Sequence, residues 1–350
     1  MRAVEEQAKL PFKQEVSCKR VSQADVRDYI IETIERKSMP GRLEYEGEAL
    51  KLLGAIPVNY DYVPELIKLY TRSLAAFYDP DVDYFIIPRT NSEGEQRSIF
   101  THELTHALHD QYFHLEQIID WNESTDVQLA RLALLEGEAM RVMLSIDGEV
   151  DCLTTDPVKL KKSVAHIDSE LESWFTQESD DAPLYLTLIS EFPYLLGLRF
   201  VCAVLENNGR DLEALYRVFT KLPSGTSEVM EPTRYGRDEY LSKPPPPDPD
   251  VVYSDRLGEF GVFALLRTYL PLAQALRAAA GWSDDRLTLT RSPKGYSLRW
   301  ETVWQSPEEA EEFERRLRES YEVRFQKNNT QVPHYKIAHR GELVVLSVSH

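Results

Sequence analysis

The sequence predicts a mainly helical α+β protein, and three observations carry that prediction. Long stretches before residue 243 repeat apolar residues three and four apart, the spacing of one helix face. After residue 250 the pattern changes to a helix followed by strand-like and helical runs in the order β-β-α-β-β, as in a small α+β unit. Between them lies KPPPPDPD, residues 243–250, whose four consecutive prolines cannot continue a helix or a central strand. We therefore expect a helical part over 1–243, a proline-rich linker over 244–250, and a C-terminal α+β unit over 251–350 packing on the helical part.

The elements follow in order. Residues 22–36 read as a helix with Ser22 as N-cap, and helical patterns recur near 46–54 and 63–76. A turn at Asp79-Pro80 leads into a short apolar strand, Tyr84 to Ile87. The strongest amphipathic helices are 95–115 and 126–146, and the helical period resumes at 183–206 and 210–221. Beyond the prolines we expect a helix over 257–279, strands at 286–291 and 296–304, a helix at 307–320, and strands at 334–339 and 343–348. No internal repeat is present.

Composition narrows the function. An apolar share of 42% with 28% charged residues is ordinary for a globular chain. A formal charge of −18 repels phosphate backbones and argues against nucleic acid as a partner. No apolar run is expected to reach the roughly 18 residues of a membrane span. The N-terminal MRAVEEQAKLPF lacks the apolar stretch of a secretory signal, so the chain as given reads as cytoplasmic, or as exported if processed. Cys18, Cys152 and Cys202 are odd in number and far apart, which suggests buried or incidental thiols in a reducing compartment rather than a disulfide framework.

The chemistry is carried by Thr101-His102-Glu103-Leu104-Thr105-His106, an HExxH motif. On a helix, residues four apart share a face, so His102 and His106 project side by side and can grip one metal ion. Glu103, beside them, can take a proton from water without being a ligand. HExxH arises by chance in roughly one chain per hundred of this length, so context decides. A catalytic zinc needs a third protein ligand and one open position. Glu136, in LLEGEA, lies on the apolar stripe of Leu132, Ala133, Met140 and Met143, where a carboxylate is costly unless something neutralises it. Gly137 follows, and a glycine inside a helix suggests close backbone approach.

HELTH followed by EGEA on a second helix resembles the gluzincin metallopeptidases, of which the thermolysin-like enzymes are best known. The chain is also similar to a prokaryotic group of HELTHAL-type proteins over most of its length. The shared segments are Tyr78-Asp79-Pro80, His102 to Gln111, Leu135 to Ala139, Phe192 to Gly197, and LPSGTSEVMEPTRY over 222–235. The resemblance implies a gluzincin core, zinc, peptide or protein substrates, and an edge strand at Tyr84–Ile87 that pairs with extended substrate, although the residues themselves fit a core strand equally. It points to Tyr194 and Tyr235 as donors to a developing oxyanion. One departure stands out: Glu231 precedes Pro232 where the group has His.

Other residues take plainer expectations. Asp110 either orients a ligand imidazole or is a solvated surface acid. His109 and His114 are expected in surface or satisfied polar roles. Glu138 is a rival ligand whose spacing puts it on another face. Asp126 begins its helix, where an acid favours the helix dipole, and reads as a cap. Gly281-Trp282 and Trp300 to Trp304 read as packing residues, and helix 307–320 as a solvated face. The leading function is zinc-dependent peptide hydrolysis. The alternatives are a non-catalytic, zinc-stabilised binding or regulatory protein and zinc hydrolysis of a non-peptide amide.

Overall fold

The structure is a computed structural model that describes residues 1–73, 77–79, 84–88, 93–176, 182–237, 250–293, 295–328 and 334–349. The chain opens with α1 (Arg2–Ala8), β1 (Ser17–Val21), α2 (Gln23–Lys37), α3 (Arg42–Leu53), α4 (Tyr62–Ser73), β2 (Phe77–Asp79) and β3 (Tyr84–Pro88). Next come α5 (Glu93–Phe113), the single turn α6 (Leu115–Ile118), α7 (Thr125–Asp147), α8 (Pro157–Thr176), α9 (Leu184–Asn207), α10 (Leu212–Val218) and α11 (Thr226–Met230). The C-terminal part holds β4 (Val251–Asp255), α12 (Gly258–Arg267), α13 (Leu272–Ala279), β5 (Trp282–Ser292), β6 (Gly295–Trp304), α14 (Pro307–Asn328), β7 (His334–Arg340) and β8 (Leu343–Ser349). Helix covers 60% of the described residues and strand 17%, so the fold is α+β and mainly helical.

Local chemistry explains several boundaries. The Ser22 hydroxyl accepts from Asp25 N at 3.2 Å and Asp25 Oδ2 accepts from Ser22 N at 2.7 Å, a reciprocal capping box that starts α2. Ser124 caps α7, and Gly148 at φ 79° ends it. The single helix expected over 257–279 is two: α12 ends at Arg267 and α13 starts after Pro271, because proline offers no N–H to the preceding turn. Helices α1 and α8 and strands β1 and β4 were not anticipated; the two strands are only five residues each, too short for a clear period. The proline run lies outside the described residues except for Asp250, as does Pro80 of the expected turn.

The small sheet has the order β1-β3-β2. β1 pairs with β3 in parallel and β2 in antiparallel, so β3 is an interior strand rather than the edge the resemblance implied. Its two faces are both buried. Phe85 and Ile87 pack with Ile99 and Phe100 of α5, while Ile86 packs with Val26 and Ile30 of α2. The second sheet, β4-β5-β6-β8-β7, is antiparallel throughout. α14 covers it, stacking Phe313 on Trp304 at 4.5 Å and edge-on to Trp300 at 5.7 Å. Trp282, Trp300 and Trp304 are all buried.

One hydrophobic cluster runs from Leu53 of α3 through Leu134, Phe192, Phe260 and Phe263 to Trp300, Leu317 and Val348. Two buried hydrogen bonds tie α14 to the end of α3: Tyr321 Oη donates to the Leu53 carbonyl at 3.0 Å and Arg324 Nη1 to the Leu52 carbonyl at 3.2 Å.

At the centre, α7 and α9 meet backbone to backbone. A Cβ on Gly137 would lie 2.2 Å from the carbonyl carbon of Gly197, and one on Gly197 would lie 2.2 Å from the Ala133 carbonyl oxygen. No larger residue fits either position without parting the helices. Cys152 and Cys202 form a disulfide, with Cα atoms 5.4 Å apart. This corrects the expectation of isolated thiols: the fold joins positions 50 residues apart in sequence, and only Cys18 is free. Against the expectation of no span-length apolar run, α9 is long and apolar enough to cross a membrane by length and composition. Its most apolar window is 56% buried inside the protein, as befits a central core helix.

Candidate metal centre

Helix α5 carries His102 and His106 one turn apart, and their Nε2 atoms lie 3.1 Å from each other. Both face Glu136 of α7: its Oε2 is 2.9 Å from His102 Nε2 and 3.3 Å from His106 Nε2. The two imidazole planes cross at 78°, so their nitrogens converge rather than stack. The three ligand atoms all fall within 4.8 Å of one another, with His102 buried and the other two half-buried. Two imidazole nitrogens and a carboxylate oxygen, drawn from two packed helices, form a group able to hold a metal ion. Among the described residues it is the one such group.

Electrostatics tie the four side chains together. Burial alone would raise Glu136, but the His106 charge and hydrogen bonds from both imidazoles hold it well below the usual carboxylate range. Burial opposes the charged form of His106, yet the Glu136 charge and hydrogen bond, with Glu103 adding, raise it to about 9. Glu103 is pushed up by burial; the His106 and His102 charges and the Tyr78 N–H pull the other way, Glu136 adds to the rise, and the net direction is upward. A bound dication would pull Glu103 back down.

A surrounding shell fixes the motif. Tyr78 of β2 donates its backbone N–H to Glu103 Oε2 at 2.8 Å and its hydroxyl to Asp110 Oδ2 at 2.7 Å, so one residue grips α5 at both ends of the motif. Asp110 Oδ1 also accepts from Leu115 N at 2.7 Å. Asp110 is therefore buried, which corrects the surface-acid alternative; its side chain closes the C-terminal end of α5. Thr105, fully buried between the histidines in sequence, donates to the Thr101 carbonyl at 2.8 Å. Glu103 and Asp110 were singled out in the sequence, but their bonds to Tyr78 were not; the segment that begins with Tyr78 was the available signal.

The two candidate tyrosines fall in different settings. The Tyr194 ring of α9 lies 6.0 Å from the His102 ring and remains 37% exposed. The Glu136 charge first, then burial, then Glu103 and Glu191, lift its phenol well above 10, so it stays a neutral donor at ordinary pH. The Tyr235 hydroxyl donates to the Lys221 carbonyl, and its ring packs edge-on against Phe200 at 5.7 Å. Glu231 is exposed and accepts from the Thr233 hydroxyl at 2.6 Å.

Other expectations change with burial. His109 is wholly buried among Phe113, Tyr216 and Phe219, and neither ring nitrogen has a hydrogen-bond partner, so it is neither a surface nor a satisfied histidine. Burial, with the nearby His106 and Arg141 charges, drives its pKa well down, so it is held neutral. Glu138 does point to another face, where it pairs through both oxygens with buried Arg141 at 2.6 and 2.7 Å. Asp126 is not a helix cap, since Ser124 takes that place. It is wholly buried, accepting from Thr226 N at 2.7 Å and Thr226 Oγ1 at 2.6 Å, with Arg256 Nε 3.0 Å from its other oxygen. It thereby joins α7 to α11 and to the start of the C-terminal part. His114 is exposed, in keeping with a surface role.

Compared with known protein families, residues 250–348 match a model described as a domain of unknown function (DUF8575). No curated protein and no solved structure matches the chain. The matched span covers the five-stranded sheet with α12, α13 and α14, and it ends outside the metal helices.

Proposed function

We propose that the chain is a zinc-dependent metallopeptidase of gluzincin type, with His102, His106 and Glu136 as metal ligands and Glu103 as general base. The observation that carries this reading is the convergence of two imidazole nitrogens and a carboxylate within 4.8 Å, with the Glu103 carboxylate in the same electrostatic cluster. Three ligands of N, N and O type suit a catalytic zinc, which keeps one position open, better than a closed structural site. When bound, zinc supplies a Lewis acid that polarises a carbonyl and acidifies water. Glu103 takes the proton from the attacking water and passes it to the leaving nitrogen. The Tyr78 N–H fixes the carboxylate orientation for that transfer. Tyr194, neutral and beside His102, donates to the developing oxyanion. Tyr235 serves the fold, because its hydroxyl is already engaged by Lys221.

The test is zinc content measured together with cleavage of an unstructured protein such as casein, for wild type and Glu103→Gln. Both proteins should hold one zinc, and the substitution should lower cleavage by about 10²–10⁴-fold. Zinc in both with casein intact in both would favour the binding-protein alternative. Absence of zinc from both would end the proposal.

A further inference from the structure

The rim of the candidate metal centre carries a carboxylate, Glu191, that the hydrolytic chemistry does not use. Glu191 and Tyr194 sit three residues apart on α9 and therefore share a face. Both are exposed, and the Tyr194 ring stands 6.0 Å from that of His102. Among the described residues no hydrogen bond or ion pair engages the Glu191 carboxylate. The neighbouring protein removes part of its water and raises its pKa, although the residue remains exposed. An unpaired carboxylate beside an aromatic ring favours a cation, through charge and through the ring quadrupole.

We infer that Glu191 and Tyr194 form a subsite for a cationic group of the substrate, an ammonium or guanidinium carried next to the bond that is cut. The inference rests on the peptidase reading for its substrate and on the α9 face for its chemistry. Glu191 supplies the charge, while Tyr194 supplies an aromatic surface against which the alkyl stem or guanidinium plane lies. An acidic residue at that place is repelled by Glu191, with Glu103 adding to the repulsion. The cationic group comes either from a Lys or Arg side chain or from the free α-amino group of a peptide, and both offer the same recognition chemistry.

The experiment uses the zinc-loaded full chain and peptides alike except for one Lys, Arg, Gln or Glu, each made with a free and with an acetylated N-terminus. Wild type should favour Lys and Arg over Glu by on the order of tenfold in kcat/KM. Glu191→Gln should bring that ratio close to one, and Glu191→Lys should reverse it. A preference for Lys and Arg over Gln and Glu assigns the side chain as the source, whereas faster use of the free than of the acetylated peptides, lost in Glu191→Gln, assigns the α-amino group. Equal use of Lys and Glu peptides together with equal use of free and acetylated ones by wild type, or a preference that persists in Glu191→Gln, overturns the subsite. Calorimetric binding of the same peptides to zinc-loaded Glu103→Gln separates the two levels of the argument. A Glu191-dependent binding preference without turnover in wild type would keep the subsite and remove the peptidase reading. Turnover without a charge preference would do the reverse, and neither binding nor turnover would remove both.

Discussion

His106 illustrates how single residues in the centre depend on what faces them. In the metal-free protein the Glu136 carboxylate raises it to about 9, so it carries a proton at neutral pH. A metal ligand must be the neutral imidazole, so zinc has to displace that proton. Zinc uptake at pH 7.5 should therefore release about one proton from this site, and affinity should rise with pH up to about 9. Calorimetry in buffers of different ionisation heat measures the release; zero release, or affinity falling as pH rises, would contradict the assignment. The adjacency of His102 and His106 was legible in the sequence, because a four-residue spacing on a helix dictates it without any knowledge of the fold. Tyr78 was not, because its bonds to Glu103 and Asp110 cross 25 and 32 residues.

At the scale of elements, the metal centre depends on how close α7 comes to α9. Gly137 adjoins Glu136 in sequence and touches the Gly197 backbone, so the proposed ligand and the helix contact share one turn. Gly137→Ala must part the two backbones and turn Glu136 away from the histidines. We expect it to cost about 1–3 kcal/mol of stability and to weaken zinc binding about tenfold. Thermal unfolding and a competitive zinc titration measure the two effects, and a variant with wild-type values in both would show that the contact does not set the site. The glycine was readable as a sign of close approach, but its partner was not. Helix α9 could equally have presented any of its faces, since it is apolar nearly all round.

Across the whole molecule, buried acids link stability to pH. Burial is the largest cause that lifts Glu46, Glu259 and Asp285, each to about 7, although Tyr62, Arg234 and the amides of Leu257 and Gly258 respectively pull them down. Unfolded, these groups release their protons near pH 4. Between about 4 and 7 the folded state therefore binds more protons, and stability falls as pH rises through that window. His106, raised to about 9 in the metal-free form, contributes stability that is also lost as pH rises through that value. The depressed Glu136 contributes a constant amount above pH 5, and the buried neutral His109, whose contribution is lost only as pH falls below about 6.5, is one group set against three acids and His106. The metal-free protein should thus melt at a lower temperature at pH 8 than at pH 5.5; an equal or higher melting temperature at pH 8 would show that these acids ionise freely in the fold.

The sequence by itself determined the mainly helical α+β character, the side-by-side histidines, and Glu136 as a carboxylate on an otherwise apolar helix face. These depend on periods of two and 3.6 residues and on the cost of a lone charge in an apolar stripe, both local quantities. The tertiary structure alone decided that Cys152 meets Cys202, that His109 is buried without a hydrogen bond, and that β3 is flanked on both sides. It also decided that one core runs on from the helical part into the C-terminal sheet. Each of those depends on which distant segment covers a given face. A residue's chemistry sets what it can do, whereas its burial and its partners come from the packing of the rest of the chain.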